Sequence, residues 1–162
     1  MRCAGSKFRG HENMFCSAVI PTIDRTSLSR AVESVLHQSL KPTDYEIIVV
    51  NDSGRPLHHR DWMKCNNVKI IDTNCRNRSV ARNAGAAMAK GDYLHFLDDD
   101  DWITPESYQG ARSVRTHRRS LVDRWYRLTD NAGNKRKDVF PCENGNCLVQ
   151  TIAAGGFPCR LL

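Results

Sequence analysis

An α/β fold with a mostly parallel sheet is predicted by three features of the sequence. Short apolar segments rich in β-branched residues alternate with segments whose apolar residues repeat at helical spacing. Their order is strand, helix, strand, strand, helix, strand, helix, which is typical of a parallel sheet covered by helices. The length of 162 residues and the hydrophobic content of 40% suit one soluble globular domain.

The four predicted strands are short and apolar. They cover residues 14–21, 45–50, 67–73 and 93–97. The first is expected to stop at Pro21, and the second, "YEIIVV", has the continuous apolar character of a strand that is buried on both faces.

Three helices are predicted between and after these strands, over residues 27–40, 79–91 and 104–117. Thr26 or Ser27 is placed to cap the first helix, and Thr104 to cap the third. Gly91 is expected to take the left-handed conformation that often follows a helix.

The pattern weakens after residue 121. Residues 121–140 are compatible with two strands joined by a turn at "NAGN", because Asn and Gly tolerate positive φ. Residues 145–156 are compatible with a short helix that is closed by glycines.

Acidic residues follow three of the predicted strands. Asp24 comes shortly after the first strand, Asp52 directly after the second, and four consecutive aspartates at 98–101 after the fourth. Ligands of parallel α/β sheets bind beyond the carboxyl ends of the strands, so these carboxylates are expected to converge on one crevice. Such a cluster suits Mg²⁺ or Mn²⁺. The alternative is an exposed acidic loop at a helix N-terminus.

Two common phosphate-binding motifs are absent from the sequence. It contains neither G-x-x-x-x-G-K-[ST] nor a G-x-G-x-x-G after the first strand, which argues against a P-loop NTPase and a classical dinucleotide fold. A bound nucleotide would therefore be held through a metal ion and basic side chains, with Asp24 and Asp52 as acceptors for base or ribose.

The basic residues are concentrated in residues 112–137. This segment holds nine Lys or Arg and two Asp, and the whole chain has a net charge of +6. The segment is interpreted as a solvated face or as a surface for phosphates of a nucleotide, a lipid headgroup or a nucleic acid. It is also the candidate for peripheral contact with a membrane.

The sequence predicts a cytoplasmic protein, with a location at the inner face of the membrane as the alternative. Its seven cysteines are scattered and odd in number, which favours reduced thiols. No apolar run reaches the ~20 residues of a membrane span. Residues 1–13 lack an apolar core and are expected to be a loose leader before a domain at 14–162.

Four linked segments resemble the family 2 glycosyltransferases of GT-A fold. They are "SAVIPTIDR", "SLSRAVESVLHQSL", "YEIIVVNDSG" and "SVARNAGAAMAKGDYLHFLDDDDWITPE", and together they run from about residue 16 to residue 107. The resemblance implies a Rossmann-like α/β/α sandwich that binds a nucleotide-diphosphate sugar and a divalent cation, Mn²⁺ or Mg²⁺. It also implies an inverting transfer of the sugar to an acceptor that the sequence does not identify.

The resemblance implies a role for each matching residue. The residues implied for the nucleotide sugar are Pro21, Thr22, Asp24, Asp52, Arg82, Asn83, Asp98 and Asp99. Asp52 would read the base, and Asp98 or Asp99 would contact the ribose. Asp100 would bind the metal ion that bridges the diphosphate, and Asp101 is expected to face solvent or favour the next helix. Gly85 would permit close packing of its helix.

The sequence departs from the family pattern at three places. Asp24 stands where asparagine is common, and both can accept the same hydrogen bond. Asn77 stands where a glycine is frequent and is expected to tolerate a left-handed conformation. The family's acceptor-binding half, which supplies the general base, has no recognisable equivalent, so the domain is expected to be truncated at its C-terminus and the catalytic residue is unassigned.

The sequence therefore predicts a metal-dependent glycosyltransferase. The first alternative is a truncated module that binds a nucleotide without turnover. The second is a nucleic-acid-binding protein that uses the basic segment 112–137, although that segment has few interleaved aromatic residues.

Overall fold

The computed structural model describes residues 15–114, 126–129 and 135–139 of the chain. The strands and helices, in chain order, are β1 (Cys16–Thr22), α1 (Leu28–Leu36), β2 (Tyr45–Asn51), β3 (Val68–Asp72), α2 (Arg78–Met88), β4 (Tyr93–Phe96), α3 (Ser107–Val114), β5 (Tyr126–Thr129) and β6 (Lys135–Val139). Single 3₁₀ turns lie at Pro42–Asp44 and Asp61–Lys64.

Four of the strands form a parallel sheet in the order β3-β2-β1-β4. The two central strands, β1 and β2, are buried along their whole length. This confirms the predicted mostly parallel sheet, because a strand buried on both faces carries apolar residues without alternation.

Apolar side chains pack on both faces of the sheet. Ala18 and Ile20 belong to a core with α1 and α3, whereas Val19 lies on the opposite face against α2. Successive side chains of a strand point to opposite faces, so the apolar run of β1 serves both layers. The result is the predicted α/β/α sandwich.

Two glycines set the approach of backbone segments to the central strand. A Cβ on Gly85 of α2 would lie 2.3 Å from Val19 Cγ1, so close packing of the helix requires glycine, as predicted. A Cβ on Gly91 would lie 2.6 Å from the backbone nitrogen of Ser17. The expected left-handed conformation of Gly91 is wrong, because its φ is not positive and α2 ends earlier, at Met88.

A buried carboxylate ties the start of β4 to the sheet. Glu46 is 1% exposed and accepts hydrogen bonds from Ser17 Oγ (2.7 Å), Lys69 Nζ (2.6 Å) and the backbone nitrogen of Lys90 (2.7 Å). Burial acts to raise the pKa of Glu46, but these partners outweigh it and lower the pKa. The turn before β4 is thereby held against β1 and β2.

The first and third helices are present as predicted, but their ends differ from the predicted ones. The first helix ends at Leu36 rather than at residue 40, and Ser27 precedes it without a capping hydrogen bond from its side chain. The third helix begins at Ser107 rather than next to Thr104. The β5–β6 pair is antiparallel, as predicted, but the predicted turn at 131–134, the helix at 145–156 and the leader at 1–13 lie outside the described residues.

Within the described part of the chain, no helix has the length and apolar character needed to cross a membrane. The predicted cytoplasmic location stays a prediction.

The packing of α2 predicts that Gly85→Ala destabilises the protein. Alanine is the better helix former, but its Cβ would overlap Val19 and lie 3.0 Å from Val50 Cγ2. We expect a loss of about 1–3 kcal/mol in the free energy of unfolding, the usual cost of overpacking, measured by urea denaturation.

Ala87, which is exposed on the same helix, provides the control. Ala87→Gly should cost only about 0.5–1 kcal/mol, from helix propensity alone. A Gly85→Ala variant that is more stable than the wild type would contradict the packing argument.

Candidate functional site

The loops that follow β1, β2 and β4 meet at one edge of the sheet. The backbone nitrogen of Asp52 donates to the carbonyl of Thr22 (2.8 Å), and the nitrogen of Leu97 donates to the carbonyl of Val19 (3.0 Å). The strand ladder therefore continues to the residues that precede the loops. This brings the predicted acidic residues to one edge.

Asp99 is the most buried residue of the acidic strand end. It is 5% exposed, and its Oδ2 accepts a hydrogen bond of 2.7 Å from Thr22 Oγ1. Burial raises the pKa of Asp99 above its ordinary value, and the favourable contacts with Thr22 and Arg25 offset this only in part. Thr22 thus links the end of β1 to the loop after β4.

Arginines neutralise the two aspartates beside Asp99. Arg82 of α2 binds Asp98 at 2.6 Å, with Arg78 at 3.6 Å from the same carboxylate. Arg25 lies 2.8 Å from Asp100 and 3.5 Å from Asp99. These three guanidinium groups are the structural partners of the acidic cluster.

Asp98, Asp100 and Asp101 offer carboxylate oxygens that all lie within 4.8 Å of one another. Oxygen ligands at this spacing fit a hard divalent cation such as Mg²⁺ or Mn²⁺. Partial loss of solvent and the neighbouring carboxylates raise the pKa of Asp101, as expected where negative charges crowd together. Asp101, expected to face solvent or favour the helix, is exposed but also belongs to this group.

The Asp24 carboxylate is occupied by protein groups. Asp24 has a left-handed backbone (φ 70°), and its side chain is fully covered. Arg60 Nη1 donates to one carboxylate oxygen at 2.7 Å, and the backbone nitrogen and ring Nδ1 of His58 contact the other. Burial alone would raise the pKa of Asp24, but these contacts lower it. Its predicted role as an acceptor for the ribose or base requires His58 or Arg60 to move.

Asp52 organises the loop between β3 and α2. One carboxylate oxygen accepts from Thr73 Oγ1 (2.8 Å) and the nitrogens of Cys75 (2.6 Å) and Arg76 (2.9 Å), and the other from the nitrogen of Asn77 (2.6 Å). Burial opposes ionisation, but the four donors lower the pKa of Asp52. The predicted contact with the base stays a prediction.

This loop takes its left-handed residues at Asn74 and Arg76. Asn77 does not adopt the left-handed conformation that it was expected to tolerate, because its φ is −138°. Its side chain instead caps α2 by accepting from the backbone nitrogens of Ser79 and Val80.

Two other predicted site residues, Pro21 and Asn83, are located by the elements that carry them. Pro21 is buried near the end of β1, and Asn83 is exposed on α2 next to Arg82. Within the described residues, Arg82 Nε is buried and without a hydrogen-bond partner. Of the basic segment 112–137, only Arg112 and Lys137 have described side chains, and Lys137 is exposed.

Four functional candidates were absent from the sequence prediction: Arg25, His58, Arg60 and Arg78. Arg25 adjoins Asp24 in "TIDR", and Arg78 precedes Arg82 by the four residues that place side chains on one helix face. Both could have been found by these spacings. No local pattern in the sequence indicates that His58 and Arg60 pack on Asp24.

The sequence of this chain matches a known protein family. The family model described as glycosyl transferase family 2 matches residues 17–142 of this chain. The chain belongs to glycosyl transferase family 2. Over 137 residues it is 38% identical to the poly(ribitol-phosphate) beta-N-acetylglucosaminyltransferase TarP of Staphylococcus aureus. The alignment covers 80% of this chain and 41% of TarP.

A second curated relative is the poly(ribitol-phosphate) beta-glucosyltransferase of Bacillus spizizenii, which is 34% identical to this chain over 101 residues. The alignment covers 58% of this chain and 16% of the relative. Among solved structures, residues 1–349 of S. aureus TarS match with a TM-score of 0.59 and 21% identity, covering 67% of this chain and 34% of that one. The same TarS fragment in complex with UDP-GlcNAc gives a TM-score of 0.57. These structures show that the family 2 chain shares the GT-A fold of TarS.

The bonds of Asp52 predict a pH-dependent contribution to the stability of this family 2 chain. The pKa of Asp52 in the folded state lies below its ordinary value of 3.8. The stabilisation is therefore fully present above about pH 4 and is lost as the pH falls through the folded-state pKa. Asp52→Asn should cost about 1–3 kcal/mol at neutral pH, because the amide cannot accept on both sides. The stability of Asp52→Asn should also fall less on acidification than that of the wild type.

Urea denaturation at pH 7 and in steps below pH 4 measures both effects. Asp61→Asn is the control, because the Asp61 side chain is 99% exposed and pairs only with Lys64 at 3.4 Å among the described residues. Equal acid sensitivity of the wild type and Asp52→Asn would contradict the role given to Asp52.

Proposed function

We propose that this chain forms the donor-binding part of a glycosyltransferase that takes a sugar from a nucleoside-diphosphate sugar with the aid of a divalent cation. The observation that carries the proposal is the group formed by Asp98, Asp100 and Asp101 at the carboxyl edge of the sheet, in a chain of family 2. Carboxylates at this edge are placed where α/β sheets bind their ligands.

UDP-GlcNAc is the first donor to test. The TarS fragment of the same fold was solved in complex with UDP-GlcNAc and in complex with UDP. TarP, a relative with 38% identity, is named as an N-acetylglucosaminyltransferase. The chain spans 41% of the length of TarP, so the complete reaction is part of the proposal.

The residues of this chain would divide the donor between them. Asp100, with Asp98 and Asp101, would hold a Mn²⁺ or Mg²⁺ ion, which when bound neutralises the negative charge of the leaving diphosphate. Arg82 is the described basic side chain of α2 closest to Asp98, which fits its predicted place near the diphosphate. Asp52 would read the base, and Pro21, Thr22 and Asp24 would border the base and the ribose. Asp99 would contact the ribose, and Asn83 would lie near the base and the diphosphate.

The acceptor is proposed to be rich in phosphate. Both curated relatives named above act on poly(ribitol-phosphate) by name, and this chain carries a net charge of +6. A cationic protein attracts a polyanionic acceptor at low ionic strength. The general base for an inverting transfer is not assigned to a residue of this chain.

Nucleotide binding should depend on Mn²⁺ and on Asp100. Calorimetry with UDP should show higher affinity in the presence of Mn²⁺. Asp100→Asn should weaken Mn²⁺ binding by at least about tenfold, or ~1.4 kcal/mol, and should make UDP affinity insensitive to Mn²⁺. The physical reason is the loss of one negative oxygen ligand at unchanged side-chain size.

Two further variants sharpen this test. Asp101→Asn should also weaken Mn²⁺ binding, since its carboxylate belongs to the same group. Asp44→Asn is the control, because Asp44 precedes β2 at the opposite edge of the sheet. A UDP affinity that is unchanged by a chelator in the wild type would contradict the metal-dependent proposal.

A transfer assay separates the enzyme from a module that only binds nucleotide. The chain would be incubated with UDP-GlcNAc, Mn²⁺ and poly(ribitol phosphate), and release of UDP would be followed. Binding without UDP release would favour the module. Binding to DNA or RNA that falls steeply with salt and ignores Asp100→Asn would favour the nucleic-acid alternative.

A further inference from the structure

We infer that Arg25 is an internal counter-cation that occupies Asp100 until a divalent cation takes this carboxylate. The inference rests on the proposed metal dependence and adds a residue to it. Arg25 Nη1 lies 2.8 Å from Asp100 Oδ2, and Asp100 belongs to the group of carboxylates that fits a cation. A guanidinium and a divalent cation repel each other, so both cannot hold this carboxylate at full strength.

The ion pair of Arg25 with Asp100 is exposed, whereas the backbone of Arg25 is held in place. The side chains of Arg25 and Asp100 are 42% and 57% exposed, and ion pairs at such exposure contribute little to stability. The carbonyl of Arg25, in contrast, accepts from the nitrogen of Leu28 (3.2 Å) and from Arg60 Nη2 (3.4 Å). Release of Asp100 therefore needs rotation of the Arg25 side chain, which also gives up the 3.5 Å contact between its Nη1 and Asp99.

The arginine at Asp98 is held more firmly. The side chains of Arg82 and Asp98 are 35% and 29% exposed, and the Arg82 guanidinium lies 5.9 Å from the centre of the Phe96 ring. A cation arriving at the group would therefore displace Arg25 more readily than Arg82. The two sides of the cluster would then differ: Arg82 stays on Asp98 Oδ1 and leaves Oδ2 to the metal ion, whereas Arg25 exchanges with the metal ion.

The exchange gives Arg25 a role in coupling metal and nucleotide. A displaced guanidinium remains next to the strand end where the diphosphate of the donor is proposed to lie. There it would bind phosphate oxygens, which arginine recognises well. Arg25 is thus a positioning residue. It weakens the binding of the metal ion alone and strengthens the binding of the metal ion together with the nucleotide.

The test is Mn²⁺ binding without nucleotide, followed by electron paramagnetic resonance of the free ion at low salt. Arg25→Gln should bind Mn²⁺ about tenfold more tightly than the wild type, the order expected when a unit charge beside a divalent ion is removed at the protein surface. The difference should shrink at high salt. Arg25→Lys keeps the charge and should stay close to the wild type.

Arg112→Gln is the matched control. It also removes one arginine of a partly exposed ion pair, 2.6 Å from Asp44, but at the opposite edge of the sheet. Its Mn²⁺ affinity should equal that of the wild type. Thermal melts of the metal-free variants would confirm that each remains folded.

The outcomes distinguish this inference from the proposed function. If the wild type binds Mn²⁺ and UDP as proposed but Arg25→Gln binds Mn²⁺ equally or more weakly, only the inference is overturned. If Mn²⁺ binds Arg25→Gln but not the wild type, the inference is supported in its strongest form. If neither binds Mn²⁺, the inference and the proposed metal dependence both fail.

Mn²⁺ should increase the affinity for UDP less in Arg25→Gln than in the wild type. An unchanged gain would overturn the coupling role of Arg25.

Discussion

The parallel pairing of β1 with both β2 and β4 is the constraint on which the site depends. The register places Cys16 opposite both Tyr45 and Tyr93, so three strands start together and their carboxyl ends meet at one edge. A shift of one residue would turn every side chain of a strand to the other face of the sheet. The bond between Thr22 and Asp99 exists only in the observed register.

The carboxylates at this edge fall into two classes with opposite electrostatics. Asp24 and Asp52 have lowered pKa values, because protein donors satisfy their oxygens despite burial. Asp99 and Asp101 have raised pKa values, because loss of solvent and neighbouring charges are not fully compensated. The first class holds loops in place, whereas the second lies among the four consecutive aspartates after β4.

The fold and the place of the site follow from local patterns in the sequence, but the contacts within the site do not. Apolar runs predicted all four strands of the parallel sheet, and the aspartates after them predicted the edge. The ends of α1 and α3 differed from prediction, because capping is decided by tertiary contacts such as the one from Gln38 Nε2 to the carbonyl of Thr104. The contact between Arg60 and Asp24 joins loops 36 residues apart, and no spacing rule covers such a pair.

The position of β4 in the sheet also has a consequence for folding. The bond between Ser17 and Glu46 joins residues 29 positions apart, whereas the bond between Thr22 and Asp99 closes a loop of 77 positions. Closing the longer loop costs more chain entropy, so pairing of β1 with β2 should precede docking of β4 in the folding pathway. The strand that precedes the aspartates would then join last and open first in local unfolding. Amide hydrogen exchange would be fastest there among the strands next to β1.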